Sequence, residues 1–353
     1  MKSSKIRHLL KAMLLLAVSA AISCESIPDG EGDCSVTYEL QLTQTRNVLG
    51  VDAFAGRVKS VSAYFFDQNG HLRLTKHESG NDLASGSYTL KIKDTELTPG
   101  TYDVIVWGGL QEGDAFSLTR AASPAAKSDL TCRLARTYED GNALSQRELN
   151  DLYHGAGRIT IPGHVYGTYR IEEKIDLTKN TNKLSVVLQH FTGKPLKKED
   201  FKFEVTDRNG LMNFDNSLMP DELITYRHHT IQEAEVTLPD DDEMQSRANT
   251  SVSSVIADID LARLVDLADN KQEARLIVRA NKNDGSKDVE ILNVNLINML
   301  LLIKDRKYKT NQDFLDCQDD FSMIFLLDDA YGWYTDNGIW INSWHIIEQY
   351  KDL

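Results

Sequence analysis

The stretch that decides the fold is Val58–Leu74, which reads VKSVSAYFFDQNGHLRL. Its first nine residues, Val58–Phe66, are rich in the β-branched and aromatic residues that favour strands. The run then meets Asn69-Gly70, and this pair between two apolar runs is the strongest short-range signal for a β-hairpin. Leu72 and Leu74 follow with alternating spacing. The stretch therefore predicts two antiparallel strands joined by a tight turn.

Strand-like segments of this kind recur along the rest of the chain, and short strands at such spacing are typical of β-sandwiches. They are Val36–Leu42, Tyr88–Ile92, Thr101–Trp107, Gly157–Ile161, Tyr169–Ile175, Leu184–Leu188, Phe201–Val205, Val255–Leu261, Ala274–Val278, Val289–Val294 and Ile339–Ile347. The turn sequence Asn283-Asp284-Gly285-Ser286 predicts a second hairpin.

Three short segments depart from this pattern. Ser145 and Glu148 have the spacing of a capping box, which predicts a brief helix through Tyr153. Pro99-Gly100 predicts a type II turn with positive φ at the glycine. The apolar run Leu296–Ile303 fits either a strand or a short helix, and periodicity does not decide between them.

The first 33 residues are expected to be a targeting signal followed by a tether. Four basic residues precede an uncharged run, Ala12–Ile22, which is about half the ~20 residues that a bilayer crossing requires. We predict a signal peptide over residues 1–23, acylation of Cys24, which follows the small residue Ser23, and an acidic, Pro- and Gly-containing tether over residues 24–33. A plain signal peptide with a chance cysteine is the alternative.

The remaining chain, about 320 residues, is long enough for two domains at ~150 residues each. The polar stretch Asp176–Asn182 marks the boundary, which predicts domains at residues 34–175 and 176–353.

The charge balance excludes some partners. Lys and Arg number 39 against 53 Asp and Glu, a net charge of −14, and no stretch gathers basic residues, so no nucleic acid is expected as a partner. Removal of residues 1–23 takes away four positive charges, which gives −14 − 4 = −18.

The cysteines left after Cys24 are Cys34, Cys132 and Cys317. Their odd number allows one internal pair at most in an oxidising compartment. Because Cys34 and Cys132 both fall in the predicted first domain, they are the pair that could form a disulfide; three free thiols are the alternative.

Catalytic and metal-binding patterns are missing from the sequence. The histidines are scattered, and the adjacent His228-His229 would diverge on a strand. The acidic cluster Asp313, Asp316, Asp319 and Asp320 lacks the ligand spacing of a calcium loop, so we expect a solvated loop there. We therefore expect neither an enzyme nor a cofactor.

Aromatic residues near the carboxyl end support a different function. Surface lipoproteins that bind glycans present rings as stacking platforms, and Trp333 could be displayed in this way. Trp340, Asn342 and Trp344 would share one strand face, which is more often a core face. Core packing and glycan binding both remain open here.

Several of these motifs, in this order, resemble the FimB-type fimbrial anchor lipoproteins of Bacteroidales. They are the Ser23-Cys24 lipobox, the strand and turn at Val58–Gly70, the Leu97–Tyr102 turn with Val106-Trp107-Gly108, the Leu152–Gly155 segment and the terminal Ile341–Trp344.

The resemblance implies an all-β protein with two transthyretin-like β-sandwich domains in tandem and short helical insertions. It implies a basal subunit of a type V pilus, held in the outer membrane through the lipid on Cys24 and joined to a fimbrial shaft subunit by strand complementation. A stalk-like subunit, processed after Arg46 within a loop flanked by Arg46 and Arg57, and a surface glycan-binding lipoprotein are the alternatives.

Overall fold

The computed structural model describes residues 35–346 except 85, 112, 114, 120–123, 238–250, 268–273, 283, 334 and 336–337. Its strands are β1 (Thr37–Thr43), β2 (Ser60–Phe66), β3 (Leu72–Ser79), β4 (Thr89–Lys93), β5 (Gly100–Gly108), β6 (Phe116–Leu118), β7 (Cys132–Leu134), β8 (Thr137–Glu139), β9 (Asn142–Ser145), β10 (Tyr153–Ile161), β11 (Thr168–Asp176), β12 (Thr178–Lys179), β13 (Thr181–His190), β14 (Phe201–Asp207), β15 (Leu211–Met212), β16 (Ile224–Arg227), β17 (Thr230–Thr237), β18 (Ser251–Ala262), β19 (Arg275–Ala280), β20 (Val289–Asn295), β21 (Asp320–Leu327), β22 (Ile339–Ile341) and β23 (Trp344–Ile346). The α-helices are α1 (Phe54–Arg57), α2 (Leu296–Leu301) and α3 (Asn311–Cys317), and short 3₁₀ turns cover Asn81–Ala84, Lys127–Asp129 and Lys198–Asp200.

The first sandwich consists of a three-stranded sheet in the order β11-β1-β4 and a five-stranded sheet in the order β12-β10-β5-β2-β3. β1 lies in the middle of the smaller sheet, parallel to β11 and antiparallel to β4. Alternate residues of the two sheets form one apolar core, as the two-residue period of strands requires. Leu40 and Leu42 of β1 lie in this core with no exposed surface.

The second sandwich pairs two six-stranded sheets, in the orders β17-β18-β13-β21-β22-β23 and β20-β19-β14-β16-β9-β8. Its core contains alternate residues of β13, β18 and β21 on one side and of β14, β16 and β19 on the other. The all-β fold with short helices that the sequence predicts is confirmed, as are its two hairpins, β2–β3 and β19–β20.

The five-stranded sheet is covered on both faces. Val61 and Phe65 of β2 point into the first core, whereas Tyr64 and Phe66 point into the second. The outer cover is a small sheet in the order β15-β7-β6, whose residues include Cys132. The predicted division differs from this arrangement, because several residues of the predicted first domain pack in the second core: Ala115, Phe116, Leu130, Cys132, Leu134, Ala143, Leu149 and Leu152. Chain order alone does not reveal such a crossover.

Two local predictions are wrong. The predicted helix after Ser145 is absent, because Ser145 ends β9 in parallel pairing with Tyr226 and the backbone N–H of Leu149 donates to the carboxylate of Asp260 at 2.8 Å. Gly100 does not take the φ of a type II turn. Its φ is +159°, an extended conformation, because strand pairing with Ile161 already begins at this residue.

The run Leu296–Ile303, which the sequence left unassigned, begins with helix α2. The Asn295 side chain caps it by accepting a hydrogen bond from the backbone N–H of Asn298. Within the described residues, none of the helices has the length and apolar character needed to cross a membrane.

His154 joins the two sandwiches. It lies on β10, is 4% exposed and packs edge-on against Trp107 with ring centroids 4.6 Å apart. Its Nε2 is 2.8 Å from the carbonyl oxygen of Phe214, in the second sandwich. Burial lowers the pKa of His154 to about 4.

This burial predicts a loss of stability in acid. The unfolded chain binds a proton on His154 below about pH 6.5, while the folded chain resists it until about pH 4. The contribution is therefore complete above pH 6.5 and is lost as the pH falls towards 4, by about 3 kcal/mol. Urea unfolding of the parent and of His154→Gln at pH 7 and pH 4.5 measures it.

The glutamine variant keeps a donor for Phe214 but does not titrate, so its stability should fall less between the two pH values. His71→Gln, at an exposed histidine, serves as the control and should behave like the parent. Equal losses in the parent and in His154→Gln would contradict the prediction.

Candidate functional site

The amino-terminal strand β1 is the element that the predicted anchoring function depends on, because it follows directly on the predicted tether. It pairs with β11 from Thr37↔Thr168 to Thr43↔Asp176 and with β4 from Thr37↔Lys93 to Gln41↔Thr89. Both of its edges are therefore occupied. The chain enters the fold as a central strand.

Asp176 fixes the far end of β1. Its carboxylate accepts hydrogen bonds from the Thr43 hydroxyl at 2.9 Å, the Thr45 backbone N–H at 2.8 Å and the Thr45 hydroxyl at 2.7 Å. The strand is thereby held at the end of β11, where the chain passes to the second sandwich.

The loop after β1 is the one predicted as a candidate processing site between Arg46 and Arg57. It is internally ordered, because the Asn47 amide donates to the carbonyls of Gln44 and Val51 at 2.9 and 2.7 Å. Helix α1 ends the loop. The tip of the loop is apolar and open to solvent, with Leu49 80% exposed.

Both flanking arginines bind carboxylates of the second sandwich, an arrangement that we call the clamp. Arg46 Nη1 lies 3.1 Å from Asp316 Oδ2, and Arg57 Nη1 lies 3.0 Å from Asp319 Oδ2. The two carboxylates lie at the end of α3 and just before β21. The loop is therefore held at both ends against the second sandwich.

Each clamp carboxylate is also bound from the buried side. Asp316 Oδ1 accepts from Arg263 Nη2 at 2.8 Å, and Asp319 Oδ2 accepts from Lys179 Nζ at 3.0 Å. Lys179 also contacts Asp151 at 3.0 Å, and its side chain is 7% exposed. Burial alone would lower the pKa of Lys179, but the two carboxylates outweigh it and raise that pKa.

The acidic cluster was expected to be a solvated loop, and for two of its members this is wrong. The side chains of Asp316 and Asp319 are 6% and 13% exposed, because both are ion-paired. Asp313 instead caps α3 in a capping box with Thr310. No group of three His, Cys, Asp or Glu residues in the described part of the chain is arranged to hold a metal ion.

The aromatic residues near the carboxyl end are divided between the border of the second core and the hairpin β22–β23. Trp333 packs edge-on against Phe325 with centroids 5.3 Å apart, at the border of the second core, and is not displayed. The predicted strand Ile339–Ile347 is instead the hairpin β22–β23, since Asn342 and Ser343 have φ of +46° and +71° and form its turn. Trp344 is 65% exposed.

The predicted cysteine sites are only partly described. Cys24 and Cys34 lie outside the described residues. Cys132 is a free thiol with no exposed surface, and burial raises its pKa. It lies in the second core, so the assignment of both cysteines to one domain no longer supports their pairing, which stays a prediction.

The chain is similar to a known protein family over most of its length. Residues 31–350 match the model of a family described as fimbrillin-A associated anchor proteins Mfa1 and Mfa2. No curated protein sequence matches the chain.

Solved structures of similar fold come from Bacteroides thetaiotaomicron and Porphyromonas gingivalis. A candidate adhesin of Bacteroides thetaiotaomicron is 28% identical with a TM-score of 0.73, over 88% of this chain and 97% of that one. A candidate polysaccharide-binding protein of the same organism is 22% identical with a TM-score of 0.70, over 91% of this chain and 100% of that one. The fimbrial anchor protein Mfa2 of Porphyromonas gingivalis is 17% identical with a TM-score of 0.61, over 89% of this chain and 99% of that one.

The clamp predicts that loss of Asp319 weakens the joint between the sandwiches. Asp319→Asn leaves Lys179 with Asp151 alone and Arg57 without its carboxylate. Because Arg57 is 39% exposed, we expect a destabilisation of about 2 kcal/mol, below the ~3–5 kcal/mol that follows loss of one partner of a fully buried pair. Denaturant unfolding measures it, and trypsin should cleave more rapidly after Arg57 in this variant.

The control is Asp288→Asn, which breaks a pair with Lys202 at the surface, where the two side chains are 55% and 61% exposed. Such exposed pairs contribute about 1 kcal/mol or less. If both variants lost the same stability and were digested at the same rate, the clamp would have no role in holding the loop.

Proposed function

The chain belongs to the family of fimbrillin-A associated anchor proteins, and from this membership we propose that it anchors a fimbria to the cell as its basal subunit. The family gives the chain a fimbrial role at the cell surface. The proposal adds a lipid on Cys24 in the outer membrane, a fimbrial shaft subunit as the partner and termination of the polymer at this chain. The proposed role needs no catalysis.

The observation that carries the proposal is the position of β1. A shaft built by strand exchange requires an acceptor groove whose backbone N–H and C=O groups are completed by an extended segment of the next subunit. In this chain the corresponding place is filled by its own strand, with β4 on one side and β11 on the other. A subunit that keeps this strand also keeps its connection to Cys24.

The clamp supports retention of the strand over processing. Cleavage after Arg46 would separate β1 from the rest of the chain, and release would break the pairing with both neighbours. Arg46 and Arg57 are both engaged with carboxylates of the second sandwich. We therefore favour an anchor over the stalk-like alternative.

The partner would have to bind elsewhere, and the second sandwich offers edge strands for it. β17 and β20 end the described orders of the two large sheets. An edge of this kind presents backbone groups that an added strand can complete. Both strands belong to the sandwich remote from the tether, which is where a shaft would leave an anchored subunit.

Glycan binding is the alternative function. The position of Trp333, the residue on which this alternative relied, argues against it. Trp333 packs against Phe325 instead of standing free as a platform. Of Trp333, Trp340 and Trp344, the one with an exposed ring is Trp344. A soluble form that bound polysaccharide only while Trp344 was present would favour this alternative.

Cys24→Ala tests the membrane attachment. We expect both sandwiches to fold as before, since Cys24 lies in the predicted tether ahead of β1, which begins at Thr37, and the protein to leave the membrane fraction for the soluble fraction. Fractionation and incorporation of a labelled fatty acid measure the two effects. Cys317→Ala, which removes a thiol at the end of α3, is the control and should stay with the membrane. A Cys24→Ala protein that remained membrane-bound would remove the lipoprotein from the proposal.

Deletion of the protein tests the basal role. Cells that lack it should still make the shaft subunit but shed fimbriae into the medium, because the polymer has lost its attachment. Electron microscopy of cells and of the medium measures this, and complementation with the wild-type chain should restore attachment where Cys24→Ala does not. Fimbriae that stayed attached to the deletion strain would rule out the anchor role.

A further inference from the structure

The end of the first sandwich at which the chain enters the fold is shared by a hairpin loop. Thr37 begins β1, and its backbone N–H donates to the carbonyl oxygen of Gly167 at 2.9 Å. Gly167 ends the loop that joins β10 to β11. Any segment preceding β1 therefore leaves the fold beside this loop, residues 162–167, which we call the exit loop.

The exit loop carries a ring that projects into solvent. Tyr166 is 85% exposed, more than any other large apolar side chain among the described residues. The base of the loop is firm, because Val165 and Tyr169 pack against the first core and the Tyr38 hydroxyl donates to the Pro162 carbonyl at 3.3 Å. The backbone on either side of Tyr166 is therefore fixed by these contacts, while the Tyr166 ring lies in solvent.

The exit loop itself is uncharged, although the whole chain has a net charge of −14 and Asp94 and Lys93 lie beside Val36 and Thr37 at the same end of the sandwich. Residues 161–168 read IPGHVYGT and contain no Asp, Glu, Lys or Arg. On the neighbouring loops, Asp67 is paired with Arg73 and Glu96 with Lys76, at 2.6 and 2.9 Å. The end surface is therefore compatible with a lipid headgroup layer.

The length of chain before β1 brings this end close to a membrane. Ten residues lie between Cys24 and Ser35, so the eleven steps from one Cα to the next reach at most ~40 Å when extended and ~18 Å on average as a flexible coil. Tyrosine is enriched at the level of the headgroups, where its ring is apolar and its hydroxyl is hydrated. One ring binds a bilayer weakly, but a tether raises its effective concentration enough to populate such a contact.

We infer that the exit loop contacts the headgroup layer of the membrane that holds the lipid of Cys24, with Tyr166 as the inserted ring. This inference rests on the proposed lipid attachment. The contact orients the molecule: the exit end of the first sandwich faces the bilayer, and the opposite end, where the clamp and the second sandwich lie, faces away.

Fluorescence quenching tests the contact in the full-length lipidated protein. Tyr166→Trp places a reporter in the exit loop, and Leu49→Trp places a matched one at the opposite end of the same sandwich, where Leu49 is 80% exposed. Each variant is reconstituted into phosphatidylethanolamine and phosphatidylglycerol vesicles, with or without phosphatidylcholine brominated near the headgroup end of its acyl chains. The emission of the parent chain is subtracted, and the same samples are floated on a density gradient.

We expect the added emission at residue 166 to fall by about half with the brominated lipid and that at residue 49 to stay unchanged, since only a ring in the headgroup region meets the quencher. Vesicles that float with the protein but leave residue 166 unquenched would overturn the inference while leaving the lipid anchor intact. Equal quenching at both residues would overturn the orientation. Protein that failed to float would overturn the lipid anchor and, with it, the contact that depends on it.

Discussion

The rest of the structure depends on a sheet that is buried on both faces. In β2, successive side chains enter different cores, Phe65 the first and Tyr64 and Phe66 the second. Because strand side chains alternate with a period of two, a slip by one residue would exchange these two sets and misplace both cores. The Asn69-Gly70 hairpin, with Gly70 at φ +81°, fixes the register. The two sandwiches therefore share one structural layer.

Local signals predicted local structure well, and they failed where distant pairing decided the outcome. The hairpins at Gly70 and Gly285 were predicted from their turn residues, because glycine adopts the positive φ that a tight hairpin turn requires. Ser145 and Glu148 have the spacing of a capping box, but Ser145 pairs with Tyr226 of β16 and its backbone is extended. The local sequence around Ser145 does not show this strand pairing, because the partner lies about 80 residues away. The hairpin turn at Asn342-Ser343 was missed because neither residue is a glycine, although asparagine tolerates the left-handed region.

The candidate site also contains a part that local sequence predicts and a part that depends on distant contacts. The proposed lipid position Cys24 rests on a short contiguous motif, so it could be predicted from the sequence alone, and it stays a prediction. The clamp joins Arg46 to Asp316 and Arg57 to Asp319, over separations of 270 and 262 residues. Both carboxylates stood out in the sequence as an acidic cluster, but composition does not tell a solvated acid from a buried one with two cationic partners. Their roles follow only from the fold.

The parallel pairing of β1 with β11 has a mechanical consequence. Any force from a membrane-bound amino terminus enters β1 at Thr37, and any force from the second sandwich enters β11 at Asp176, the opposite end of the same pair. Tension therefore slides the two strands past each other along their length. The hydrogen bonds of this parallel pair are slanted, but they run across the direction of the pull and bear it together instead of opening one after another. Such a shear joint resists rupture far better than a peeling one, which is the property that the proposed anchor requires.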